Sequence, residues 1–139
     1  MTVRNFALVL GIAYTLVGVL GFLPFALTPP PDTPDVTLDT LYGLLIGLFP
    51  VNILHSIVHL AIGLWGIFAY RDFDASRTFA KVVGVFFAVL TVMGLIPGLH
   101  TTFGLIPLFG HDVWLHALTS LAGLYFGFMA PQQVRAATD

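Results

Sequence analysis

The residues able to do chemistry in this chain are its five histidines and seven carboxylates. Two of the histidines, His55 and His59, stand four residues apart in the apolar stretch NILHSIVHLAIGLWG, residues 52–66. On a helix that spacing separates them by ~6 Å along the axis and ~40° around it, so both imidazoles can converge on one object. A third, His116, closes the stretch GHDVWLH, four residues after Asp112. Three chemistries suit these residue types. Neutral imidazoles can tie helices together through hydrogen bonds. His55, His59 and His116 with Asp112 make a first shell for Zn²⁺ or Cu²⁺, and two histidines facing each other across a bundle can ligate a haem or a chlorin. Ionisable groups inside a membrane also serve as relays for protons or a polar substrate. The HxxxH spacing alone does not choose among them. Asn52, Ser120, His100 and His111 are placed by the sequence to support the same region. For Asp112 there are two roles: orienting His116, or capping the helix it begins, which is the expected one.

The elements that must position these residues follow from composition. The chain has 139 residues, 58% hydrophobic and only 9% charged, against about 25% charged in a soluble domain. That balance points to an integral membrane protein in contact with the lipid bilayer. A net charge of −2 gives no footing for nucleic acid. With no cysteine there are no disulfides, thiolate ligands or cysteine nucleophiles. No Ser-His-Asp spacing or Gly-rich phosphate loop argues for an enzyme. Four apolar runs are long enough to cross a ~30 Å hydrocarbon core: about 5–27, 50–70, 78–97 and 112–130.

The chain repeats itself. RNFALVLGIAYTLVGVLGFLPFALT from Arg4 aligns with RTFAKVVGVFFAVLTVMGLIPGLHT from Arg77, matching Arg4/Arg77, Gly11/Gly84, Pro24/Pro97 and Thr28/Thr101. YGLLIGLFPVNILH aligns with FGLIPLFGHDVWLH, pairing His55 with His116. The first copy carries 12 extra residues, PPPDTPDVTLDT, read as a flexible exposed linker. The expected architecture is all-α: one domain, 1–139, a four-helix transmembrane bundle of two tandem hairpins, about 4–70 and 77–130. YGLLIGLF and FGLIPLFG, too short to span, are expected to lie at the outer interface as short helices or partly re-entrant turns, both doing the same thing. Because the Arg4 segment has an internal counterpart, it reads as a retained helix rather than a signal peptide.

All five basic residues, Arg4, Arg71, Arg77, Lys81 and Arg135, fall on one side, and Asp32, Asp35, Asp39 and Asp112 on the other. The positive-inside rule then puts both termini in the cytoplasm, and all five histidines toward the opposite face. Small residues at helix-interface spacing mark the buried faces: Ala7, Gly11, Thr15 and Gly18, then Ala80, Gly84, Ala88, Thr91 and Gly94. The stripes Asn52, His55, His59, Gly63, Gly66 and Asp112, His116, Ser120, Gly123, Gly127 put polar and small residues on one inward face. Trp65 and Trp114 read as packing or interface anchors, Tyr14 and Tyr125 as core.

VNILHSIVHLAIGLWG, FGLIPLFGHDVWLH, VGVLGFLP and MGLIPG together resemble a family of bacterial four-helix membrane proteins catalogued as domain of unknown function 4383. The resemblance runs from about Arg4 to Phe128, with Asn52, His55, His59, Asp112, Trp114, Leu115 and His116 at its signature positions. His111 departs from the pattern, where a small polar residue such as Asn is usual. The resemblance implies topology and no activity. The residues themselves read as a plasma-membrane or photosynthetic-membrane protein with a metal, cofactor or proton site. The alternative is an accessory structural subunit packed in a larger membrane complex or homo-oligomer, its histidines serving interhelical hydrogen bonds.

Overall fold

The computed structural model describes residues 1–30 and 34–130, so Asp32 and Arg135 lie outside the described residues. Four helices make up most of it: α1 Val3–Leu20, α2 Ile53–Ala69, α3 Phe73–Leu95 and α4 His111–Leu124. A π-helical turn, Tyr125–Met129, extends α4. Two of the helices, α1 and α3, are long and apolar enough to cross a membrane, and α2 is a shorter apolar helix.

Side chains just outside the helices start three of them. The Thr2 hydroxyl accepts from the Asn5 amide, Asn52 Oδ1 from the His55 amide and an Asp72 carboxylate oxygen from the Ala75 amide. Each satisfies a donor that the first turn leaves without an intrahelical partner. Helix α3 stops before Pro97, because a residue preceding proline is driven out of the helical region; Ile96 is extended at φ −98°, ψ 116°.

The chain is not all-α. Strands β1 Leu27–Thr28, β2 Gly43–Leu45 and β3 Phe49–Val51 form an antiparallel sheet in that order. Leu45 faces both Leu27 and Phe49 in the register. YGLLIGLF is therefore a β-hairpin rather than a short helix. Pro50 has no amide to donate and holds Phe49 extended, and Gly43 and Gly47 weaken any helix. The related FGLIPLFG does something different. It folds back through local turns, with the Ile106 amide donating to the Thr101 carbonyl and the Leu108 amide to the His100 carbonyl. No strand forms in it. The linker reading is also corrected over its described part. The Thr37 and Leu38 amides both donate to the Gly104 carbonyl, at 2.8 and 3.1 Å, so residues 34–40 are docked on the 3–4 connection.

Asn52 joins these parts. Besides capping α2, its Nδ2 donates to the Leu38 carbonyl at 2.9 Å and the Leu105 carbonyl at 2.7 Å. Asn52→Ala loses a cap and strands two acceptors. It is expected to lower stability by about 2 kcal/mol, read from the unfolding midpoint of the purified protein.

Helices pack in two close pairs, α1 with α2 and α3 with α4, joined mainly through α1 and α3. The small-residue stripes make the close approach. A Cβ on Gly63 would lie 2.3 Å from the Thr15 amide nitrogen, and one on Gly123 2.7 Å from Gly84 Cα. Between the pairs sits an aromatic core, with Phe6, Tyr14, Phe79, Val83 and Phe87 all buried. Phe6 stacks on Phe126 with centroids 4.8 Å apart. Tyr125, expected in the core, is instead 49% exposed, on the same outward face as Leu118 and Leu121.

Candidate metal centre

Two helix starts position the site. The Asn52 cap fixes the register of α2, so His55 and His59 fall on its buried face one turn apart. Helix α4 begins at His111 behind Gly110, whose φ of 66° suits glycine. Asp112 is then a first-turn residue and not the cap, and it makes no capping hydrogen bond. Its side chain turns inward instead, bringing it onto the face that carries His116.

The stripes thus meet. The His55 and His59 ring centroids are 4.4 Å apart, His55 and His116 6.0 Å, and His59 and His116 6.3 Å. One ligand nitrogen from each of the three lies within 4.8 Å of the other two. Asp112 Oδ2 stands 3.6 Å from His55 Nε2 and 3.7 Å from His116 Nε2, both beyond hydrogen-bond range. All four residues are at most 3% exposed. Tyr14 of α1 sets its ring edge against His59 at 4.9 Å, and Phe87 of α3 lies 4.8 Å from the His116 ring. The Tyr14 hydroxyl is engaged with Thr119 Oγ1 at 2.9 Å.

Seven buried side-chain polar atoms among the described residues have no hydrogen-bond partner, and five belong to this group. They are Nδ1 of His55, His59 and His116, Nε2 of His116 and Oδ2 of Asp112. Polar contacts between helices are made elsewhere, by Tyr14 with Thr119 and by Ser120, whose hydroxyl donates to the Gly84 carbonyl.

The other expected supporters do not join the cluster. Asn52 serves the cap and two loop carbonyls. Ser120 is spent on α3. His111 is exposed and accepts from Trp114 Nε1 at 2.9 Å. His100 Nδ1 accepts from the Gly98 amide at 3.3 Å within its own loop. Residues the sequence did not single out, Phe87 and Thr102 among them, line a cavity of about 50 Å³ beside the imidazoles. That is far below the roughly 300 Å³ of the smallest pockets for ordinary organic ligands. A haem or chlorin does not fit there, whereas a single metal ion does.

Fold and site together define a four-helix chain with a buried three-histidine, one-aspartate group between α2 and α4. The chain belongs to the family described as domain of unknown function (DUF4383), whose model matches residues 4–129. No curated protein and no solved structure matches it.

Proposed function

We propose that this is an integral membrane protein, a four-helix bundle of two tandem hairpins, that holds one copper or zinc ion at His55, His59 and His116, with Asp112 as the adjoining carboxylate. The observation that carries the metal is the set of five unpartnered buried atoms. Leaving such a group unsatisfied costs about 1–3 kcal/mol, and one cation engages several of them at once. Three imidazoles are a donor set that suits zinc and copper. Asp112, buried beside them, would offset part of the ion's charge.

The membrane reading rests on where the apolar surface lies. Val9, Leu16, Phe68, Val85, Val92, Leu118 and Leu121 are all more than 45% exposed, spread over four helices. A soluble monomer rarely shows apolar surface on that scale. Arg4, Arg71, Arg77 and Lys81 share the end where α1 and α3 start and α2 stops. That supports placing this end in the cytoplasm and the histidines toward the opposite face. There Arg4 Nε donates to the Tyr70 carbonyl at 2.8 Å, and Arg77 Nε to the Gly127 carbonyl at 3.0 Å, one contact per hairpin.

The test is metal analysis of detergent-purified protein after exposure to Zn²⁺ or Cu²⁺ and removal of excess. One equivalent per chain is expected. Free metal at 100 times its Kd should add about 2.7 kcal/mol of stability. Substoichiometric metal with an unmoved unfolding midpoint sinks the proposal.

A further inference from the structure

The cavity beside the histidines is more than a packing defect. Its walls are the three imidazoles, apolar side chains such as Val58, Phe87, Leu90 and Leu108, and Thr102. Thr102 is the unusual member. Its hydroxyl oxygen is buried without a hydrogen-bond partner. Its backbone sits at φ 50°, a left-handed conformation that a β-branched residue seldom adopts. Strain of this kind clusters at ligand-binding positions. The turn that holds it is anchored by the Thr102 amide donating to the Leu99 carbonyl at 2.8 Å.

The cavity lies beside a groove on the surface of the helix pair. It shares Val58 and Phe86 with an open, wholly apolar groove between α2 and α3 of about 240 Å³, and Phe86 is 39% exposed. A molecule entering from that groove would cross apolar side chains only. An ion would be stripped of its hydration with one hydroxyl to replace it.

We propose that a small uncharged diatomic molecule of the class of dioxygen, nitric oxide and carbon monoxide binds here. It coordinates the ion held by His55, His59 and His116, in its copper form, while the Thr102 hydroxyl donates a hydrogen bond to it. This rests on the metal reading above. Size, and walls that are apolar apart from the histidines and Thr102, select the ligand class, and Thr102 is the residue that contacts it.

The probe is carbon monoxide, added to full-length protein loaded with copper, reduced to copper(I) and held in phosphatidylcholine nanodiscs. Copper content and the infrared C–O stretch are read on the same sample. One carbon monoxide per copper and a single band are expected. Thr102→Val should keep the stoichiometry and shift the band, and Thr102→Ser should return it toward the original position. Leu90→Phe, which fills the cavity, should abolish the band with copper still at one equivalent; Val58→Phe tests the same wall from α2 if Leu90→Phe does not fold. Copper at one equivalent with no band overturns the diatomic ligand and leaves the metal centre standing. A band unmoved in Thr102→Val overturns the role of Thr102. Absence of copper from the wild-type protein overturns the diatomic ligand, and the metal reading falls with it when zinc is not retained either.

Discussion

His116→Leu is expected to strip the protein of stoichiometric metal and yet leave the metal-free protein at least as stable as the original. Both ring nitrogens of His116 are buried without partners. Leucine fills nearly the same volume and removes two polar atoms that the apo fold leaves unsatisfied, a gain of about 1–3 kcal/mol before any packing loss. If His116 instead tied α4 to its neighbours through hydrogen bonds, the same substitution would weaken the apo protein. The two outcomes have opposite sign, so thermal unfolding of the metal-free proteins separates them. Metal content, measured alongside, should fall below one-tenth of an equivalent under conditions that saturate the wild type. Asp112→Asn gives a graded companion. It keeps the shape, replaces the carboxyl group 3.6 and 3.7 Å from two imidazoles with an amide, and should weaken metal binding about 10–100-fold in competition with a chelator.

The second large effect is expected from Gly63→Ala. The added methyl would lie 2.3 Å from the Thr15 amide nitrogen and 2.8 Å from the Gly11 carbonyl oxygen. Both are backbone atoms within α1, and neither can rotate away. The helices must separate, and overpacking of this severity costs about 3 kcal/mol or more. Since α2 carries His55 and His59, its displacement from α1 should also reduce metal occupancy. Unfolding midpoint and metal content therefore fall together in Gly63→Ala, whereas in His116→Leu they move apart.

Much of the site was legible because helices have a fixed period. The stripe through Asn52, His55, His59, Gly63 and Gly66 is a consequence of 3.6 residues per turn, and all five residues are buried, four on α2 and Asn52 at its cap. The same holds for Asp112, His116, Ser120, Gly123 and Gly127. Pairing His55 with His116 through the repeated segments anticipated that α2 and α4 bring them together. What was missed depended on where a side chain turns at an element's edge. Asp112 was expected at the cap because Asp suits caps, but the cap falls on Gly110, two residues earlier, and Asp112 becomes a buried first-turn residue. His100 and His111 share an end of the molecule with the cluster but are occupied within their own loop and by Trp114. The outer segments look alike in sequence, yet only YGLLIGLF has Leu27–Thr28 beside it to pair with.

By itself, the sequence determined the apolar helices, their buried stripes and the identity of the three histidines, since each follows from local composition and from the period of a helix. Only the tertiary structure decided that those imidazoles lie with Asp112 in one buried space, with five polar atoms of the group lacking hydrogen-bond partners, next to a cavity walled by Thr102. That outcome depends on how closely Gly11 approaches Gly63, and Gly84 approaches Gly123, and on loop turns closed by backbone bonds. Contacts between distant segments of this kind leave no periodic trace along the chain.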